Sequence, residues 1–225
     1  MPKVAVILSG CGVFDGTEIH EAVSLLIHLS RAGAVYECFA PDVMQAHVVN
    51  HLTHKPAETE RRNVLVESAR IARGAIKPLD QLEVTKFDAA FFPGGFGAAK
   101  NLCDFAFKGA ECGVEPNVDR IVRAFHAAGK PVGLCCIAPV IAARVLGTGK
   151  GGPGVTVTIG NDAGTAEAIR AMGSKHQERA VTQACVDPAQ RIVTAPAYMY
   201  DAPVHAVYEG IGAMVESVLG MIGKR

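Results

Sequence analysis

The chain has no tryptophan, and aromatic residues of all kinds make up only 6% of it. It has no excess of either charge: 22 Lys and Arg balance 22 Asp and Glu. That balance removes the electrostatic basis for binding nucleic acid or an anionic membrane. No apolar run approaches the roughly 20 residues of a membrane-spanning helix. The run at residues 4–8 is short and leads into Ser9-Gly10, so it reads as a first strand rather than a signal peptide. The seven cysteines are odd in number and include no C-x-x-C pair. A disulfide framework is therefore not expected, and a reducing cytoplasm is the expected setting. A dinucleotide fingerprint is missing too. The glycines at 10, 12 and 16 do not follow the G-x-G-x-x-G spacing, and Glu37 lies inside the second strand rather than after it. No cofactor is expected.

What is present is apolar material, 49% of the residues, arranged in alternating strand-like and helical segments. Strands are expected at 3–8, 35–40, 89–92, 132–134 and 155–159. A hairpin is expected from 181–186 and 191–194, around Asp187-Pro188. Helices are expected at 18–32, about 62–73, 117–128, 137–145, 163–172 and 204–222. In the first of these, Ile19, Ala22, Val23, Leu26, Ile27 and Leu29 or Ser30 are expected to share one face. Alternating β and α elements imply an α/β fold with a mostly parallel sheet covered on both faces and an antiparallel hairpin at one edge. With no linker or repeat, residues 1–225 are expected to form one domain. Residues 42–80 read as an inserted, partly helical segment. Sites in such sheets lie at the carboxyl ends of the strands. That rule gathers the loops at 9–17, 93–101, 135–137 and 195–201.

The densest chemical signal is Pro131-Val132-Gly133-Leu134-Cys135-Cys136-Ile137-Ala138-Pro139. An apolar strand that stops at a cysteine before a helix reads as a nucleophile elbow. Cys136 is expected at the helix N-terminus, where unpaired N–H groups and the helix dipole favour a thiolate. Cys135, one residue earlier, is expected to face the packing layer. Glu18 and Glu21 stand at i and i+3 at the start of the first helix, so both can face the mouth of the first loop. A carboxyl group beside a thiolate should have a raised pKa, and once protonated it can donate to sulfur and shuttle a proton. The glycines of Phe92-Pro93-Gly94-Gly95-Phe96-Gly97 let backbone approach a ligand. The N–H groups of Gly95 and Ile137 are the expected oxyanion hole. Gly94, Cys11 and Asn161 complete the residues expected around a substrate. His47, His51 and His54 are spaced i, i+4, i+7. No carboxylate or cysteine ligand follows at a metal-site spacing, so a solvated segment is expected and no metal is assigned.

These motifs resemble the superfamily of PfpI-type intracellular proteases, the parkinsonism-associated deglycase and class I glutamine amidotransferases. Ile7 to Gly16, Glu18-Ile19-His20-Glu21-Ala22, Arg62-Asn63-Val64-Leu65, Cys136-Ile137-Ala138-Pro139 and Thr194-Ala195-Pro196-Ala197-Tyr198-Met199 look more closely like its ElbB-type branch. Proteins of that branch are described as isoprenoid-biosynthesis-associated and amidotransferase-like. The resemblance implies a flavodoxin-like three-layer sandwich, a homodimer and a glutathione-independent glyoxalase acting on a small aldehyde. It implies Cys136 as nucleophile, Glu21 rather than Glu18 as its carboxyl partner, and Gly95 in the oxyanion turn. One departure stands out. Hydrolases of this superfamily place a histidine after the strand that follows the elbow, and here that region reads Thr158-Ile159-Gly160-Asn161-Asp162. His176 lies too far along to take that place. Amide hydrolysis would then lack its general base and leaving-group acid. A redox-sensing regulator and an amidotransferase-like hydrolase remain the alternative expectations.

Overall fold

In the computed structural model, residues 1–223 are described. The elements in chain order are β1 (Lys3–Ile7), α1 (Ile19–Arg31), β2 (Val35–Ala40), β3 (Val49–Asn50), β4 (Lys55–Pro56), α2 (Val64–Ile71), β5 (Ile76–Pro78), β6 (Ala89–Phe92), α3 (Phe96–Lys100), α4 (Phe105–Lys108), α5 (Pro116–Ala127), β7 (Val132–Cys135), α6 (Pro139–Leu146), β8 (Thr156–Val157), α7 (Ala163–Ala171), β9 (Lys175–His176), β10 (Cys185–Asp187), β11 (Ile192–Ala195) and α8 (Val204–Met221).

Seven strands form one sheet in the order β10-β11-β7-β6-β1-β2-β5. Every pairing is parallel except β10 with β11. Alternate residues of the central strands face opposite layers, as the two-residue period of a strand requires. Ala5, Ile7, Ala90, Phe92, Val132 and Leu134 pack with the α5, α6 and α7 layer. Val4, Val6, Ala89, Phe91 and Val193 pack with α1 and α8. The result is an α/β three-layer sandwich, as the alternation of elements predicts.

Four local expectations are corrected. On α1, Ala22, Leu25 and Leu29 are fully buried, while Ile19, Val23 and Ile27 form a solvent-facing row, each 41–44% exposed. The helix is rotated so that Glu21 and Ser24 turn inward, a polar demand that apolar periodicity does not register. The segment 42–80 does more than sit on the fold, because its Ile76–Pro78 strand extends the sheet edge beside β2. Pro78 is tolerated there since an edge strand leaves one row of N–H groups unused. The strand expected at 155–159 shortens to Thr156–Val157 and pairs with β9 in a separate two-stranded sheet. The elbow helix starts at Pro139, not Ile137: residues 136–138 form a turn, and Pro139 takes the first helical position that its fixed φ and missing N–H suit.

Candidate active site at the carboxyl end of the sheet

The four expected loops meet above β1, β6, β7 and β11. Backbone hydrogen bonds join the first two: Phe96 N–H donates to Val13 O at 2.8 Å, Gly97 N–H to Gly16 O at 2.8 Å, and Glu18 N–H to Gly94 O at 3.0 Å. Asn101 fixes the same junction from inside, donating through Nδ2 to both Ser9 O and Asp15 O at 2.9 Å. The elbow is held to the neighbouring strand by Cys136 N–H donating to Ala195 O at 3.0 Å. Cys136 and Ala197 (φ +47) both take left-handed backbone angles, strain of the kind that collects at functional sites.

Glu21 is fully buried among these loops. Its Oε2 accepts the Gly94 N–H at 2.9 Å and its Oε1 accepts the Tyr198 N–H at 3.2 Å. Its carboxyl also interacts with the Cys136 thiol, and the N–H groups of Gly95 and Ile137 act on the same sulfur. The Cys135 thiol contacts Glu21 Oε2 at 3.7 Å, so it faces the carboxyl as well as the core. The fit leaves no room for a side chain at Gly94. A Cβ there would lie 2.4 Å from Cys136 Cβ and 2.8 Å from Glu21 Oε2. Gly95, with φ +90, is equally constrained, since its Cβ would meet Gly16 O and Glu18 N at 2.4 Å.

Burial, and after it the charge of Glu18, raise the Glu21 carboxyl from 4.5 to about 7. The expectation of a ready-made thiolate at Cys136 is corrected. Burial and then the Glu21 charge push this thiol well above its ordinary 9.0, against the pull of the Gly95 and Ile137 N–H groups. The helix dipole helps little, because the helix begins three residues later at Pro139. The two groups therefore act as a pair. Near neutral pH the thiol keeps its proton while the carboxyl is about half ionised, so the singly ionised pair is a thiol beside a carboxylate.

Cys136, only 8% exposed, opens on a cavity of about 330 Å³. Phe96, Phe105, Ile137 and Met199 supply apolar wall, and Tyr198 and Asp162 supply polar groups. Of the expected residues, Cys136, Glu21, Gly94, Gly95 and Ile137 come together. Glu18 does not join them. It is the N-cap of α1, its Oε2 accepting the Glu21 N–H at 2.7 Å, and it acts on the site through its charge. Asn161 is exposed, and it is the next residue, Asp162, that lines the cavity. Cys11 stands apart, near Glu67, Arg70 and Asp15. The three histidines do not share a helix: His51 and His54 lie against the Phe14 ring and His47 against Phe107. His176 sits in β9, away from the cavity lining. Sequence reasoning missed Tyr198 and His20. The Tyr198 hydroxyl lies 3.2 Å from His20 Nδ1, which lies 3.5 Å from Glu18 Oε1. The signal available was the loop 195–201, already grouped with the site, and a histidine in the same turn as both glutamates.

No family model matches the chain. The ES1 protein homolog, mitochondrial, of Rattus norvegicus is 54% identical over 231 residues, spanning 99% of this chain and 85% of that protein. The glutamine amidotransferase-like class 1 domain-containing protein 3, mitochondrial, of Homo sapiens is also 54% identical, spanning 99% and 84%. Among solved structures, an isoprenoid biosynthesis protein with an amidotransferase-like domain from Ehrlichia chaffeensis superposes with TM-score 0.91 at 38% identity, covering 98% of this chain and 99% of that one. Drosophila melanogaster DJ-1beta, at 16% identity and TM-score 0.54, shares the fold. The relatives overturn the cytoplasmic expectation, since both are named as mitochondrial proteins. Free thiols record a reducing setting, not a compartment, so the cysteine content could not make that distinction. With two relatives at 54% identity across nearly its whole length, the chain belongs to the ES1 family of class I glutamine amidotransferase-like proteins.

Proposed function

We propose that this protein is a cofactor-independent glyoxalase that adds water across glyoxal or a related 2-oxoaldehyde to give a 2-hydroxy acid. The observation that carries the reading is the buried Glu21 carboxyl, raised to about 7 and interacting with the Cys136 thiol. Cys136 Sγ attacks the aldehyde carbon as Glu21 takes the thiol proton and passes it to the carbonyl oxygen, giving a hemithioacetal. A resting thiolate is not required, because the base is already in contact with the thiol. The N–H groups of Gly95 and Ile137 are placed to receive negative charge at the sulfur or on the oxygen that develops beside it. A proton then moves from the sulfur-bearing carbon to its neighbour, so one carbon is oxidised and the other reduced with no external oxidant. Water cleaves the resulting thioester, releasing the hydroxy acid and restoring the thiol.

The amidotransferase alternative is less well supported. Among the described residues, no histidine lines the cavity to protonate a departing amine. The test is glycolate formation from glyoxal, followed by chromatography. Turnover by the native protein and its loss in Cys136→Ala are expected; full turnover in that variant ends the reading.

A further inference from the structure

Each turnover of the proposed reaction makes a carboxylic acid, which is ionised at neutral pH. One proton must therefore leave a site whose base, Glu21, is fully buried. Both Glu21 oxygens are already engaged by backbone N–H groups. The carboxyl can hold one proton at a time, yet the rearrangement moves two: one between carbons and one between oxygens. A second acid–base group facing the substrate, with a route to solvent, lets the two transfers proceed together rather than in turn.

Tyr198 lines the cavity and is tied to Glu21 through its own backbone N–H at 3.2 Å. Its hydroxyl leads to His20 Nδ1 at 3.2 Å, and the His20 side chain is 62% exposed. Glu18 Oε1 lies 3.5 Å from the same nitrogen. The left-handed turn at Ala197 sets the tyrosine in this position. The phenol has its pKa raised by burial and by the Glu18 and Glu21 charges, so it stays protonated at neutral pH.

We propose that Tyr198 is the second acid–base residue of this site and that His20 connects it to bulk water. The assignment rests on the glyoxalase reading. In the hemithioacetal, Glu21 carboxylate removes the carbon-bound proton while Tyr198 O–H protonates the second carbonyl oxygen, giving an enediol and a phenolate. Glu21 then returns its proton to the second carbon, and the first carbon's hydroxyl returns a proton to the phenolate. The product is a 2-hydroxy thioester, with both residues restored. After hydrolysis, the proton of the new acid leaves through the Tyr198 hydroxyl and the His20 imidazole. This imidazole comes from α1 rather than from the segment after the elbow.

The test compares native protein, Tyr198→Phe and His20→Ala for 2-oxoaldehyde turnover and, separately, for iodoacetamide alkylation at Cys136. Tyr198→Phe is expected to lower kcat about 100-fold, the low end for general acid–base catalysis, with alkylation within about twofold of native. His20→Ala is expected to lower kcat, and added imidazole to restore it, which a merely structural histidine would not allow. Retained turnover in Tyr198→Phe, or a His20→Ala variant without an imidazole-reversible loss, overturns the relay alone. Absence of turnover in the native protein overturns the relay and the glyoxalase reading together. Should Tyr198→Phe fail to fold, the imidazole response of His20→Ala decides.

Discussion

Replacing Glu21 by Gln should change how the stability of this protein depends on pH, whatever its substrate. In the folded chain this carboxyl titrates at about 7, against an ordinary 4.5. Between those values the folded state keeps a proton that the unfolded chain has released. Native stability therefore falls as pH rises through this window and levels off above it. The gap is about 2.5 pH units at 1.36 kcal/mol each, or about 3 kcal/mol in total. Gln removes that dependence. It adds a constant cost of about 1–3 kcal/mol, because one of the N–H groups of Gly94 and Tyr198 then faces an amide NH₂ instead of an oxygen. Urea unfolding of both proteins at pH 4.5, 6, 7 and 8 provides the comparison. The difference should start in favour of the native protein and move by about 3 kcal/mol toward the variant by pH 8. A flat difference would mean that Glu21 is not a buried, proton-holding group, and the thiol–carboxyl pair would fall with it.

Gly94→Ala should destabilise the protein by about 1–3 kcal/mol in urea, since its Cβ meets Cys136 and Glu21 well inside contact distance. A variant of native stability would show that the two groups are not pressed together. Glu18→Gln keeps an oxygen to cap α1 while removing the charge that helps raise Glu21. The fall in native stability between pH 4.5 and 8 in urea should become smaller, because Glu21 then titrates closer to its ordinary value, with stability at acidic pH little changed. An unchanged fall would separate Glu18 from the electrostatics of the site.

The core strands were legible from the sequence because burial on both faces leaves continuous apolar runs: residues 4–7 and 89–92 fall where the runs predict. The elbow cysteine and the Pro93-Gly94-Gly95 turn were legible because their chemistry needs unusual backbone. The rotation of α1 was not. Ile19, Val23 and Ile27 offer as good an apolar row as Ala22, Leu25 and Leu29, and only the carboxyl at 21 decides between them. The ionisation of Cys136 was misjudged because a sequence records the helix ahead of the thiol and not the burial around it. Tyr198 and His20, 178 residues apart, meet only once β11 is laid beside β7. The edge strand at Ile76–Pro78 is too short and too polar to announce itself.

The groups converging on Cys136 come from the two ends of the chain as well as its middle: Glu21, Gly95 and Tyr198. A ribosome releases them in order, and Tyr198 follows Glu21 by 177 residues. A nascent chain that has already emerged past the elbow still lacks the amide that holds one oxygen of the Glu21 carboxyl. Loss of the β11–α8 stretch would thus remove that amide and open the Cys136–Glu21 pair to water, returning the carboxyl toward its ordinary 4.5.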